Sequence, residues 1–244
     1  MTREPYHDTE LHNSDDIVWN WQILAETGNI QAQLKLGLIY DHGDETVRDP
    51  TKALSWYRKA ADHGNADAQC ILGLKYYKGR HVDVDYLEAA HYFLLAADQG
   101  NADAQLFLAM MFESGQGVMQ NIEAAFSLYK KSSLQGNALA QFSLGMLYEQ
   151  GANATFGSMV IPADRARAVA CYRIASASGN LAARGYYEAL AEQLSPEDRN
   201  RAESFASMLD ITGAETINHF VSSSSILIPF LKKKSKLVYR ANMG

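Results

Sequence analysis

Cysteine is scarce in this chain, with Cys70 and Cys171 as the two among 244 residues. Both are interpreted as small apolar core residues rather than as reactive thiols. Long apolar runs are also lacking, and none approaches the ~20 residues that a membrane-spanning helix requires. The first eight residues are polar and lack the apolar stretch of a signal peptide, so the sequence predicts a cytoplasmic protein.

The chain also has no excess of positive charge. Its net charge is −6, which argues against nucleic acid as the main ligand. The seven histidines are scattered without the spacing of metal ligands, and neither a phosphate-binding loop nor a dinucleotide fingerprint occurs. From these absences we expect no metal, no cofactor and no catalytic residues.

What the sequence does contain is an internal repeat. The dipeptide Gly-Asn recurs every 36 residues at four places and once more after 43, at Gly28-Asn29, Gly64-Asn65, Gly100-Asn101, Gly136-Asn137 and Gly179-Asn180. A fixed period of this length is typical of a solenoid, in which each unit buries its apolar face against its neighbours. With 47% hydrophobic residues, the chain can bury a continuous core of that kind.

The pattern within each repeat predicts two helices joined by a turn. In the first half, Leu36 and Tyr40 fall on one face of a helix, and in the second half Ala53 and Tyr57 do the same. The asparagine after each glycine is placed to cap the first helix. Asp49 and its equivalents are placed to cap the second.

The shared pattern, A-x-x-x-L-G-x-x-Y-x-x-G followed by D-x-x-x-A-x-x-x-Y-x-x-A-A-x-x-G-N, resembles the Sel-1-like repeat over about residues 15 to 190. The resemblance implies an all-α fold, a right-handed superhelix of about four antiparallel helix pairs with capping helices. It also implies a non-catalytic scaffold or adaptor that binds a protein or peptide partner, and we expect a monomer. Some secreted members of the family have a disulfide in each repeat, which two cysteines cannot supply.

Both ends differ from the repeats, as terminal units must when one face meets water. Residues 16–27 match a second helix without its first, 181–194 match a degenerate first helix, and a polar helix is predicted from Ser195 to about Leu209. We therefore expect a polar segment at 1–14, the solenoid at 15–212 and a basic, disordered tail at 213–244. The tail has five basic residues against Glu215, a net charge of +4, which leaves −10 for the rest.

The candidate binding surface lies on the first helix of each repeat, opposite the side that faces the second helix. In solenoids related to the resembled family this side lines the concave groove, where a partner's helix or extended peptide binds. The alternative is that these side chains form core between repeats, which is favoured for positions equivalent to Leu34 and nearly balanced for those equivalent to Leu38. The predicted partner-binding residues are Leu38, His42, Leu74, Lys78, Met110, Ser114, Met146 and Gln150.

A second candidate is an insertion of seven residues within 151–164, which lengthens the turn of the fourth repeat. It brings Phe156, Met159 and Ile161, and loops on rigid scaffolds often contact ligands. Solenoid turns also tolerate insertions at little cost, so a loop without a binding role is the favoured alternative.

Two further motifs suggest alternative functions. Ser127 and Lys130 have the S-x-x-K spacing of penicillin-recognising enzymes, but the equivalent positions vary between repeats and the companion motifs are missing, so tolerant surface positions are favoured. In the tail, apolar residues 226–231 precede basic residues 232–236, a combination that suits peripheral contact with an anionic membrane. A disordered appendage is the favoured alternative there.

Overall fold

In the computed structural model, the described residues are 14–43, 46–153 and 160–220. They form eleven helices, the first nine of which have 13 residues each. The predicted all-α solenoid of helix pairs is confirmed. The helices are α1 Ser14–Glu26, α2 Ile30–His42, α3 Pro50–Asp62, α4 Ala66–Lys78, α5 Tyr86–Asp98, α6 Ala102–Ser114, α7 Ile122–Leu134, α8 Ala138–Gln150, α9 Arg165–Ala177, α10 Leu181–Ala191 and α11 Pro196–Phe220.

Four helix pairs correspond to the four repeats, and we call the first member helix A (α2, α4, α6, α8) and the second helix B (α3, α5, α7, α9). Each helix A follows a glycine with left-handed backbone, such as Gly28 at φ 90°, and an asparagine cap; Asn29 Oδ1 accepts a hydrogen bond from Ala32 N at 2.9 Å. Each helix B follows its own cap, and Asp49 Oδ1 accepts from Lys52 N at 3.0 Å. Both capping predictions are confirmed.

In the first, second and fourth repeats, helices A and B meet where a glycine faces an aromatic ring. A Cβ atom at Gly37 would lie 2.6 Å from Cδ1 of Tyr57, a distance at which the ring or the helix must move. The same contact is made by Gly73 with Phe93 and by Gly145 with Tyr172. The glycine of the repeat pattern therefore allows close packing in these three repeats, whereas the third repeat buries Ala109 at the same position.

A buried glutamine ties each helix A to the end of the helix before it. Gln33 Nε2 donates to the carbonyl oxygen of Ala25 at 3.1 Å, and Gln69, Gln105 and Gln141 each donate at 3.1–3.2 Å to the carbonyl eight residues earlier. All four side chains are at most 4% exposed. The last carbonyls of a helix have no partner within it, and each of these also accepts from the N–H of the glycine in the turn, so the amide is a second donor.

The insertion of the fourth repeat is closed at its base by two short strands. β1 (Ala152–Asn153) pairs antiparallel with β2 (Val160–Ile161). Asp164 N donates to Tyr148 O at 2.7 Å, the hydrogen bond that the uninterrupted turns make at 2.8–3.1 Å. The extra residues therefore leave the junction between helices A and B as it is in the other repeats.

At the C-terminal end, α10 and α11 both pack against α9. α11 starts at a cap, because Ser195 Oγ accepts from Asp198 N at 3.1 Å, but it runs to Phe220 and not to about Leu209. Residues 210–220 contain no proline, and their single glycine costs a helix only about 1 kcal/mol. The first eight residues of the predicted tail are therefore helical, whereas 221–244 lie outside the described residues, as do 1–13.

The chain divides into two compact units at α6. Unit 1 contains the described residues up to 108 together with 116–119. Unit 2 contains 109–115 and the described residues from 120 onward.

Candidate functional site

The predicted partner-binding residues fall into two classes on helix A. The residues at its C-terminal end, His42, Lys78, Ser114 and Gln150, are exposed. One turn earlier, Leu38 in unit 1 and Met110 and Met146 in unit 2 are half-buried. We call these seven residues the A-face: Leu38, His42 and Lys78 in unit 1, and Met110, Ser114, Met146 and Gln150 in unit 2.

Leu74 differs from the rest of the predicted set. Its side chain is 8% exposed, so most of its apolar surface is already removed from water within unit 1. The neighbouring positions equivalent to Leu34 are covered too: Leu34, Cys70 and Leu106 are buried and Phe142 is half-buried. At these positions the core alternative holds, and we remove Leu74 from the candidate surface.

Both cysteines are free and buried, as expected of core residues. Burial raises the pKa of the Cys171 thiol to about 12, and it raises the pKa of Cys70 well above the usual value. Both thiols therefore stay protonated at neutral pH, and a protonated thiol is a poor nucleophile.

A buried ion pair adjoins His42 of the A-face in unit 1. Lys75 Nζ donates to Asp41 Oδ1 at 2.9 Å and to Oδ2 at 2.8 Å, and neither side chain is more than 10% exposed. Tyr57 OH donates to Asp41 Oδ2 at 3.3 Å, and His42 Nε2 lies 3.7 Å from the same oxygen. Burial, followed by the Asp41 carboxylate, raises the pKa of Tyr57 far above its usual range. The pair links α2 of one repeat to α4 of the next.

In unit 2, the equivalent acid and tyrosine also meet. Tyr129 OH donates to Glu113 Oε2 at 2.6 Å, and Tyr172 OH donates to Glu149 Oε2 at 2.6 Å. These short, charge-assisted hydrogen bonds fix helix B against the end of helix A that carries Ser114 or Gln150.

The second repeat lacks both partners of this hydrogen bond. Phe93 replaces the tyrosine, and Tyr77 replaces the acid and donates to Gln116 Oε1 at 3.1 Å. Phe93 stacks on Phe107 with ring centroids 5.3 Å apart, and Tyr77 packs near both rings. Sequence reasoning missed this pairing, although comparing the two positions across the repeats would have shown that acid and tyrosine occur together.

Of the residues predicted to contact a ligand in the inserted loop, one is buried and two are not described. Ile161 is 4% exposed, because it lies in β2 at the base of the loop, and so it is not available to a ligand. Phe156 and Met159 lie outside the described residues.

Ser127 and Lys130 lie on α7, and both are exposed. Within the described ranges, no group of three or more His, Cys, Asp or Glu side chains is arranged to hold a metal ion. In that same part of the chain, no helix combines the length and apolarity needed to cross a bilayer.

This architecture is that of an α-solenoid assembled from helix-pair repeats, a class of protein with long exposed helix faces. The chain belongs to the Sel1 repeat family, whose repeat matches residues 30–65, 66–101, 102–137 and 138–180. Each match begins at the first residue of a helix A. Proteins of this family generally mediate protein–protein interaction.

Similarity to individual proteins is more limited. The secretory immunoglobulin A-binding protein EsiB of Escherichia coli is 50% identical over 36 residues, which is 15% of this chain and 7% of that protein. A protective antigen of uropathogenic E. coli with an SLR fold superposes with a TM-score of 0.72 at 24% identity, covering 88% of this chain and 46% of that one. A Sel1 repeat protein from Oxalobacter formigenes gives 0.64 at 25% identity, covering 81% and 79%. The chain thus spans less than half the length of the first two proteins.

Proposed function

We propose that this protein is a non-catalytic adaptor that binds a partner protein or peptide through the A-face. The observation that carries the proposal is a recurring pair on helix A. A half-buried apolar side chain, Leu38, Met110 or Met146, is followed one turn later by an exposed side chain whose type changes between repeats. We call the half-buried side chains the base of the A-face and the exposed ones its rim. The base can bury a partner's apolar side chain, and the rim can select among partners.

The two units present different chemistry on this face. In unit 1 the rim carries His42 and Lys78, which favours an acidic group on the partner. In unit 2 the rim is neutral, and Met110 and Met146 have flexible, polarisable side chains that adapt to varied apolar groups. A ligand of unit 1 therefore needs an acidic group, and a ligand of unit 2 needs an apolar one.

Helix A is held in place independently of any partner. In unit 1 the ion pair of Asp41 with Lys75 fixes α2 against α4, and in unit 2 Tyr129 and Tyr172 bind the acids at the ends of α6 and α8. A surface that is already rigid loses less conformational entropy on binding.

The test uses affinity capture from the native cell lysate, followed by binding of the recombinant partner to three forms of the protein. We expect the wild type to bind, and Met110→Glu/Met146→Glu to lose at least about tenfold in affinity, because two charges would enter the apolar base. The matched control, Met119→Glu/Met208→Glu, makes the same chemical change at exposed methionines off the A-face. Equal binding by all three forms would refute the A-face as the site.

The non-catalytic part of the proposal is tested separately. Ser127 and Lys130 are exposed side chains, whereas electrostatic stabilisation of a reacting group works best in a site that excludes water. We expect the wild type and Ser127→Ala to hydrolyse a chromogenic β-lactam no faster than a buffer blank. Turnover by the wild type that disappears in Ser127→Ala would show an enzyme instead.

A further inference from the structure

Exposed apolar side chains gather in unit 1 on one side of α5 and on the turn before it. Leu87 is 72% exposed, Leu94 47% and Leu95 38%, with Val84 of the turn at 52%. On a helix, positions i, i+7 and i+8 lie on the same side, so Leu87, Leu94 and Leu95 form one surface. We call these three residues the α5 outer face.

The same positions on two other B helices are polar. All of these side chains are exposed on α3 and α7, as they are on α5, so the difference is one of chemistry and not of accessibility. The residues aligned with Leu87, Leu94 and Leu95 are Thr51, Arg58 and Lys59 on α3, and Glu123, Lys130 and Lys131 on α7. The α5 outer face is therefore a local departure from the repeat.

The fourth B helix, α9, has a covered face at the equivalent positions. Its equivalents of Leu87 and Leu95 are Ala166 and Ile174, which are both buried, and its equivalent of Leu94 is Arg173, which is half-buried. We attribute this burial to α11, which packs against α9. Side chains of α11 also contact residues at the N-terminal end of α9. Arg201 of α11 donates to Asp164 Oδ2 at 2.9 Å, and the Arg167 guanidinium lies 5.5 Å from the Phe205 ring centroid.

The charged residues at the start of α5 and of α9 agree at one position and differ at another. Asp85 precedes α5 as Asp164 precedes α9, and both use Oδ1 to cap their helix. Asp164 uses its Oδ2 to accept a hydrogen bond from Arg201, and Asp85 Oδ2 can accept a hydrogen bond from a basic side chain of a partner in the same way. Glu88, however, stands where α9 has Arg167, so a helix on α5 would meet a second acid at the place where α11 presents Phe205.

We propose that the α5 outer face binds an amphipathic helix of a partner protein, and that this helix carries basic residues opposite Asp85 and Glu88. The leucines would bury the apolar side of the partner helix and remove it from water. The acids select for positive charge on the partner helix. A second copy of α5 is a poorer occupant, because it would bring its own Asp85 and Glu88 to an acidic surface. This surface is distinct from the A-face.

The experiment uses two hydrocarbon-stapled peptides as probes, both with the sequence of residues 195–209. A staple is needed because isolated helices of this length are marginal in water. One probe carries Phe205→Arg and the other Phe205→Glu. Binding to the full chain is measured by fluorescence anisotropy at low and high salt, and the site is located by hydrogen exchange of α5.

We expect the Phe205→Arg probe to bind at least about tenfold more tightly than the Phe205→Glu probe, with the difference shrinking in high salt. Leu87→Glu/Leu94→Glu in the protein should abolish this binding, whereas the control Leu181→Glu, at another exposed leucine, should leave it intact. Protection of residues 86–98 by the Phe205→Arg probe would place it on α5. Failure of both probes to bind, equal binding of the two, or binding that survives Leu87→Glu/Leu94→Glu would overturn the proposal.

Discussion

The first two repeats fill the same space between helices A and B in different ways. In the first, the Tyr57 hydroxyl meets Asp41, and Lys75 completes a buried polar centre. In the second, Phe93 and Tyr77 fill the equivalent space with rings. Both leave a glycine of helix A in close contact with the ring, so the backbone arrangement is preserved while the chemistry of the contact changes.

This comparison shows that the acid and the ring are one packing unit. A buried hydroxyl needs an acceptor, and a buried carboxylate needs donors, so neither residue can change alone without leaving a polar group unpaired. The third and fourth repeats follow the first, with Glu113 and Glu149 as acceptors. The second repeat changes both positions together.

The largest effect is expected from removing the acid of the first repeat. Asp41→Leu would leave Lys75 as a buried, unpaired charge and the Tyr57 hydroxyl without its acceptor. We expect the free energy of unfolding to fall by about 3–5 kcal/mol, measured by urea denaturation followed by circular dichroism.

The matched variant for this prediction is Asp41→Leu/Lys75→Met. Replacing a whole buried ion pair by apolar residues often costs little, so most of the lost stability should return. A double variant as unstable as Asp41→Leu would show that the unpaired charge is not the cause.

A methyl group between helix and ring should cost less. Gly73→Ala places a Cβ atom 2.7 Å from Cδ1 of Phe93, and we expect a loss of about 1–3 kcal/mol in unfolding free energy from overpacking. Gly185→Ala on α10 is the control, because no heavy atom lies within 4 Å of the new Cβ. There the higher helix propensity of alanine should stabilise by about 0.5–1 kcal/mol. Equal effects at both sites would contradict the packing argument.

A smaller loss of unfolding free energy is expected when the phenylalanine of the second repeat is replaced by the tyrosine that the first repeat has at this position. Phe93→Tyr introduces an OH group where Tyr77 stands in place of the acid, and we expect a loss of about 1–2 kcal/mol for an unpaired hydroxyl. In Phe93→Tyr/Tyr77→Glu the two new groups can pair. A double-mutant cycle from chemical denaturation should then show a favourable coupling energy, and a coupling of zero would mean that acid and tyrosine act independently.

The last prediction concerns how the free energy of unfolding depends on pH, and the ionisation of Tyr57 affects it only in alkaline solution. The pKa of Tyr57 is raised in the folded chain by burial and by Asp41, so the unfolded chain loses this proton first. Its contribution is fully present below the unfolded tyrosine pKa of about 10 and is lost as pH rises above that value. Unfolding free energy measured between pH 8 and 11 should therefore fall less steeply for Tyr57→Phe than for the wild type. Identical slopes would show that Tyr57 does not contribute.

Local signals in the sequence were sufficient for the repeat architecture. The Gly-Asn period located each helix A, and Asn29 and Asp49 cap their helices as predicted. These features depend on neighbours within a few residues along the chain, which is why the pattern alone predicts them.

The candidate surface was predicted less completely, because exposure depends on what packs from elsewhere. Leu74 has the same spacing as Leu38, yet it is more deeply buried. Ile161 belongs to an inserted loop, yet β2 holds it in the interior. Leu87 and Ala166 occupy equivalent positions on two B helices, yet one is open to solvent and the other is buried. Helical periodicity gives the side of a helix on which a residue lies but not whether another element covers that side.

The sequence by itself determined the repeat, the helix pairs, their caps and the membership of a family of interaction scaffolds, because a fixed period of small, apolar and capping residues is compatible with few other folds. The tertiary structure alone decided that Lys75 is buried against Asp41 from the preceding repeat and that α11 packs against α9. Each of these depends on contacts between residues distant along the chain. Their free energy comes from burial and hydrogen bonding that no local pattern records.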